Sequence, residues 1–199
     1  MLRLPFAFLA LAMVAPAIAQ TGSVVRGVIE AISPDGSTLT VRARSGDAMT
    51  VHMKPETTVA LIIPASLADL KPDAYIGVTA LPGPDGELQA MEVHVFPPGA
   101  RGAGEGSHPF DLAPGSSMTN GALSTRVDEL KGPLLTVTYN GGQKTIRVLT
   151  TTPIVTFAQG ARSDLKVGAA IIARGPKGPD GAIEAPRVQV GKDGLVPPM

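Results

Sequence analysis

The chain has 199 residues, with 17 Lys and Arg against 17 Asp and Glu, and neither cysteine nor tryptophan. A neutral balance without charge blocks excludes encoded attraction to nucleic acid or to an anionic membrane surface, and the missing cysteine excludes disulfides, thiolate metal sites and cysteine nucleophiles. Stability must come from burial alone, for which about 180 residues can build one or two domains.

Residues 1–19 open the chain with Arg3, an apolar stretch from Leu4 to Ala15, and small residues at Ala17 and Ala19. That is the pattern of a secretory signal peptide cleaved before Gln20. The stretch is short and broken by Pro5 and Pro16, and no later run reaches ~18 apolar residues, so no membrane span is expected after cleavage. The protein is expected to be periplasmic or secreted.

From Val24 onward the apolar period is two. The runs Val24–Ile32, Thr38–Arg44, Ala48–Met53, Ile76–Ala80 and Leu88–Phe96 alternate or are β-branched, and Gly, Pro, Asp or Ser clusters bound them, which predicts short antiparallel strands. Pro34-Asp35-Gly36 and Pro84-Asp85-Gly86 supply turns in which Pro presets φ and Gly accepts a positive φ. Ser66–Lys71 is the one stretch of this half that suits a helical turn, with Ser66 as its cap and Pro72 as its stop.

A shift of 95 residues lays Gly46–Val95 over Gly141–Val190 without a gap, and about fifteen of those fifty positions are identical. Asp69-Leu70-Lys71 meets Asp164-Leu165-Lys166, and Gly83-Pro84-Asp85-Gly86 meets Gly178-Pro179-Asp180-Gly181. The second copy then predicts the same strands, with an Asn140-Gly141-Gly142 hairpin and a helical turn that Ser163 could cap. Five short strands with a helical turn before the fourth suit a small closed barrel, because closure hides strand edges. The predicted fold is all-β: two tandem five-stranded OB-like barrels from an internal duplication, over residues 22–96 and 122–191.

Residues 97–121 between the copies are rich in Gly, Pro and Ser and read as a linker. It is longer than a plain connection needs, and Phe110 is expected to pack it onto a barrel. Residues 192–199 form a C-terminal tail, a surface strap or a frayed end.

Chemistry-bearing residues are few. Imidazole plus thioether suits copper in an oxidising compartment, which makes His52, His94 and His108, with Met49, Met53 and Met91, the candidate metal ligands. Strand alternation puts Met49 and Met53 opposite His52, and Met91 opposite Glu92 and His94, so the Met residues read as core fillers and the histidines as solvent-facing. The second copy replaces His52 by Arg147 and His94 by Gln189. His108 and Asp111 form an acid/base pair on paper, but G-x-S-x-G is absent, and bonds to loop backbone explain them better. Few aromatic residues remain for stacking, which argues against nucleic acid.

The run Met91-Glu92-Val93-His94-Val95-Phe96-Pro97, the segments Arg101-Gly102 and Gly104-Glu105-Gly106, Met118-Thr119-Asn120, and the close Gly191-Lys192-Asp193-Gly194-Leu195-Val196-Pro197-Pro198-Met199 resemble an exported alphaproteobacterial family. That family is built from repeats of a bacterial domain of unknown function, and its members often carry the label "metal ABC transporter permease". The resemblance implies no catalytic residues and at most an accessory role in metal handling, because a permease needs several apolar spans. The expectation is a non-enzymatic periplasmic binding or interaction module, its partner an unknown protein or small ligand of the cell envelope and its cofactor unknown. The alternative is a periplasmic metal-binding accessory using the His and Met residues of the first repeat.

Overall fold

The structure, a computed structural model, describes residues 22–199. The signal peptide expected at residues 1–19 lies outside the described residues. The chain is all-β, with short 3-10 turns between strands, and among the described residues no helix is long and apolar enough to cross a membrane.

Eleven strands form two rings. In one, β1 (Ser23–Ile32), β2 (Thr38–Ala43) and β3 (Ala48–His52) run as an antiparallel meander. Parallel pairing joins β3 to β13 (Ile183–Glu184), and β12 (Ala170–Gly175) pairs with β1 and with β14 (Arg187–Gly191). The Lys177–Ile183 bridge beside β12 ties β13 back and completes this ring. The other ring is β5 (Tyr75–Pro82), β6 (Leu88–Val95), β8 (Ser117–Val127), β9 (Leu134–Tyr139) and β10 (Gly142–Arg147). It closes through the parallel pair Ile146 with Leu88 and Arg147 with Gln89. Each ring encloses its own core: Ile29, Leu39, Val41, Val51 and Ile171 in ring one, and Ile76, Val78, Val93, Leu135 and Ile146 in ring two.

The small five-stranded barrel is therefore present, but the division at 22–96 and 122–191 does not bound it. Ring one takes β1–β3 from the first segment and β12–β14 from the second; ring two takes β8–β10 from the second and β5 and β6 from the first. The cause is a strand absent from the predicted set. Thr58–Pro64 forms β4 and Ile154–Gln159 forms β11, and the two pair antiparallel, Val155 with Pro64 through Gln159 with Ala60. Their other edges pair parallel with β14 and β6. β4 is apolar on both faces, with Val59, Ala60 and Ile62 all buried, so it belongs between rings and not at a barrel's half-wet surface. Running along this seam, it delivers β5 to the far ring.

The 3-10 turn Leu67–Asp69 starts at Ser66, whose hydroxyl accepts from Ala68 N–H at 3.3 Å while the Asp69 carboxylate accepts from Ser66 N–H at 2.8 Å. The corresponding turn, Arg162–Asp164, begins at Ala161, so Ser163 does not cap it. There the Asp164 carboxylate takes the Ala161 N–H at 2.7 Å.

Residues 97–121 are ordered. They hold a 3-10 turn, Pro98–Ala100, and strand β7 (Gly106–Pro109), which pairs with β8, and β8 itself starts at Ser117. The tail packs rather than frays: Met199 and Leu195 join Ile62, Val155, Ile172, Val24 and Phe157 in a third apolar cluster, and Arg44 donates to the Pro197 carbonyl at 2.5 Å.

Candidate functional site

The three histidines occupy three separate places. His52, at the end of β3, is half-buried; its Nε2 donates to the Asp180 carboxylate at 2.9 Å and its Nδ1 lies 3.2 Å from Thr38 Oγ1. Asp180 sits in the hairpin before β13, so this contact clasps two parts of ring one, and the bond to His52 is the first cause of an Asp180 pKa below the usual carboxylate value. His94 belongs to ring two. His108 is exposed on β7, with β8 and β5 between it and β6. Three strand spacings are about 14 Å, so no single ion with bonds of about 2 Å joins His94 to His108. Among the described residues, no group of three His, Asp or Glu is placed to hold a metal ion. Met53 is buried and Met49 packs on the ring-one core, in keeping with a filling role.

His94 does not face solvent. It is 3% exposed and Glu92 is 0% exposed. The reason is β11, which lies alongside β6, and the aromatic rings of Phe96 and Phe157, which stand edge-on to the imidazole at 4.5 and 5.6 Å. Gly77, directly across on β5, leaves room for the ring: a Cβ there would overlap His94 Nε2 and Asn120 Oδ1. Glu92 Oε1 accepts from the Thr79 hydroxyl at 2.8 Å and from His94 Nδ1 at 3.3 Å. Asn120 donates to the Gly104 carbonyl at 3.0 Å, which brings the Gly-rich segment over the cluster. Glu92 Oε2 and Asn120 Oδ1 are buried without a partner among the described residues.

The corresponding patch on ring one has different chemistry. Cross-strand pairing lines up Arg26, Ile172 and Gln189 in one row over β1, β12 and β14, and Val24, Arg174 and Arg187 in the next. On ring two the same two rows read Asn120, Gly77 and His94, then Met118, Thr79 and Glu92. On ring two the patch is closed; on ring one it is concave and open. A cavity of about 390 Å³ lies there, with Ile172, Met199 and Phe110 as apolar lining and Arg26, Arg174 and Arg187 as its cations. Phe110 and Asp111 come from the segment following β7. The Asp111 carboxylate receives both terminal nitrogens of Arg26, at 3.0 and 2.7 Å, and the Arg26 guanidinium stands 5.6 Å over the Phe110 ring. The segment is thus a strap fastened to β1 by charge and by aromatic contact. Neither Asp111 nor the hydroxyl of Ser107, which lies 3.0 Å from Thr119 Oγ1, is bonded to His108.

Positive charge exceeds negative here. Arg26 and then Arg174 draw the Asp111 carboxyl below its usual range, with the Arg26 hydrogen bonds the larger cause. Burial first, and repulsion from Arg26 second, lower the pKa of the neighbouring Arg44. Arg26 Nε is buried and without a partner among the described residues.

Comparison with protein families, curated proteins and solved structures finds no match. The site is therefore read from its own chemistry. Sequence reasoning missed Arg26, Arg174 and Arg187, which lie on three strands whose adjacency depends on the exchange between rings. The only signal was alternation: Val25, Gly27 and Ile29 point inward, so Arg26 points out.

Proposed function

We propose that the protein is a non-enzymatic binding module of the bacterial cell envelope, exported to the periplasm or beyond, and that its binding site is the cleft on the outside of ring one. The observation that carries this reading is three guanidinia set around an apolar floor in a cavity of about 390 Å³. Small-molecule sites run from about 300 to 1,000 Å³ and combine an apolar lining with a few polar groups that orient the ligand. The side chains lining this cleft include no hydroxyl, imidazole or carboxylate, so they are equipped to hold a ligand and not to move its protons. The wider groove of about 680 Å³ along His108–Ser117 is lined mainly by one loop, and its Asp111 is already engaged with Arg26.

The test is saturation-transfer NMR of the purified protein with decanol and decanoate as probes. Transfer onto the alkyl chain is expected in the wild type and is expected to vanish in Gln189→Trp, which fills the cleft from a half-buried position. Transfer that persists undiminished in that variant, or is absent from the wild type, contradicts the reading.

A further inference from the structure

Resting on that reading of the cleft, we infer that its ligand is an acid, a carboxylate or phosphate head on an apolar body, and that the acid group displaces Asp111 from Arg26 and so releases the strap.

A guanidinium presents a planar fork that fits a carboxylate or phosphate with two parallel bonds, and in the resting protein Asp111 fills that fork, on Arg26, with both carboxylate oxygens. Asp111 is thus an internal acid standing where an external one would bind. It is also the weaker-held partner: its side chain is 50% exposed while that of Arg26 is 11% exposed, so water reaches the carboxylate and screens the pair. Arg174 and Arg187, one row over, are cations of the same cleft for which no carboxylate lies in salt-bridge range among the described residues. An acid entering the cleft therefore meets cations to which Asp111 makes no bond. Its body meets Ile172 and Met199, and burying that body is the gain Asp111 cannot match. Phe110 and Asp111 are adjacent, so loss of the Asp111 contact frees the aromatic lid in the same step.

Two sources offer such a head on such a body, a free small acid and an anionic lipid. The test uses calorimetric titration with decanoate and with decanol, and co-sedimentation with phosphatidylglycerol vesicles. Decanoate is expected to bind at least tenfold more tightly than decanol. Asp111→Asn is expected to raise decanoate affinity several-fold and leave decanol unchanged, because it removes the internal competitor. In a Phe110→Trp variant, decanoate is expected to red-shift the tryptophan emission as the strap leaves. Arg26→Gln is expected to abolish the preference for the acid, and because Asp111 is half-exposed the Asp111→Asn result stands even if Arg26→Gln does not fold. Sedimentation with the vesicles that decanoate reverses identifies the lipid headgroup as the source, and no sedimentation identifies the free acid. Equal affinities for decanoate and decanol overturn the acid selectivity. Weaker or unchanged decanoate binding by Asp111→Asn overturns the displacement while leaving the cleft as a binding site. Binding of neither probe overturns the reading of the cleft itself.

Discussion

At the residue scale, two acids show how position sets behaviour. Asp111 is held ionised by Arg26 and Arg174, so its folded pKa is lower than its unfolded value of 3.8. The stabilisation it gives the strap is complete above that unfolded value and is lost as pH falls through the depressed folded value. A half-exposed pair of this kind contributes only about 0–1 kcal/mol, so acidification frees the strap while the rings persist. Proteolytic cleavage near Phe110 is expected to accelerate below about pH 3.8, before circular dichroism reports loss of strand signal; simultaneous loss contradicts this. Glu92 is fully buried, with His94 and Thr79 as its partners. Gly77 makes that burial sterically feasible, since a Cβ there meets the His94 ring. Gly77→Ala is expected to destabilise the protein by about 1–3 kcal/mol, the usual cost of overpacking, and His94→Ala in the same chain is expected to recover part of it. Denaturant melts of the three variants read this directly, and additive losses contradict it.

At the scale of elements, the two GPDG hairpins explain a substitution that the sequence presents only as divergence. His52, on β3, reaches the hairpin at Asp180, and its counterpart Arg147, on β10, reaches Glu87 just after the other hairpin, at 2.5 and 3.0 Å. Arg147 also donates to the Gly132 carbonyl at 3.0 Å and lies 3.1 Å from Glu129. Each residue thus fastens a third strand to the hairpin of the strand that closes its ring. The Arg147 side chain is buried and several-fold bonded, whereas His52 and Asp180 are more exposed, so Arg147→Ala is expected to lower the thermal midpoint more than His52→Ala; equal losses contradict the assignment. Strands with clean alternation, such as Thr38–Ala43 and Leu134–Tyr139, were legible because one face is wet. β4 was not, because a strand apolar on both faces has no period of two to reveal it. The burial of His94 was hidden for the same reason, since β11 covers the face that alternation assigns to solvent.

At the scale of the molecule, barrel size and strand type follow from local pattern, while partnership between strands does not. Nothing in Thr58–Pro64 says which copy of the following hairpin it serves; the pairing of β4 with β11 decides that. The consequence is that neither half of the chain carries a complete ring. Residues 22–100 alone lack β12–β14 for ring one and β8–β10 for ring two, and are expected to give no cooperative thermal transition as a monomer. Mixing them with residues 101–199 is expected to restore one. A folded monomer from residues 22–100 contradicts the exchange. The same exchange builds the cleft, because Arg26 comes from the first half of the chain and Ile172, Arg174, Arg187 and Gln189 from the second.

That cleft is the proposed seat of the ligand. Titration of the isotopically labelled protein with decanoate, followed amide by amide in heteronuclear NMR, tests it most directly. The largest shifts are predicted at Arg26, Ile172, Gln189 and Met199, together with Phe110 and Asp111 of the strap. Shifts centred on His52 and Asp180, or on Glu92 and His94, or no shifts at all, would contradict it.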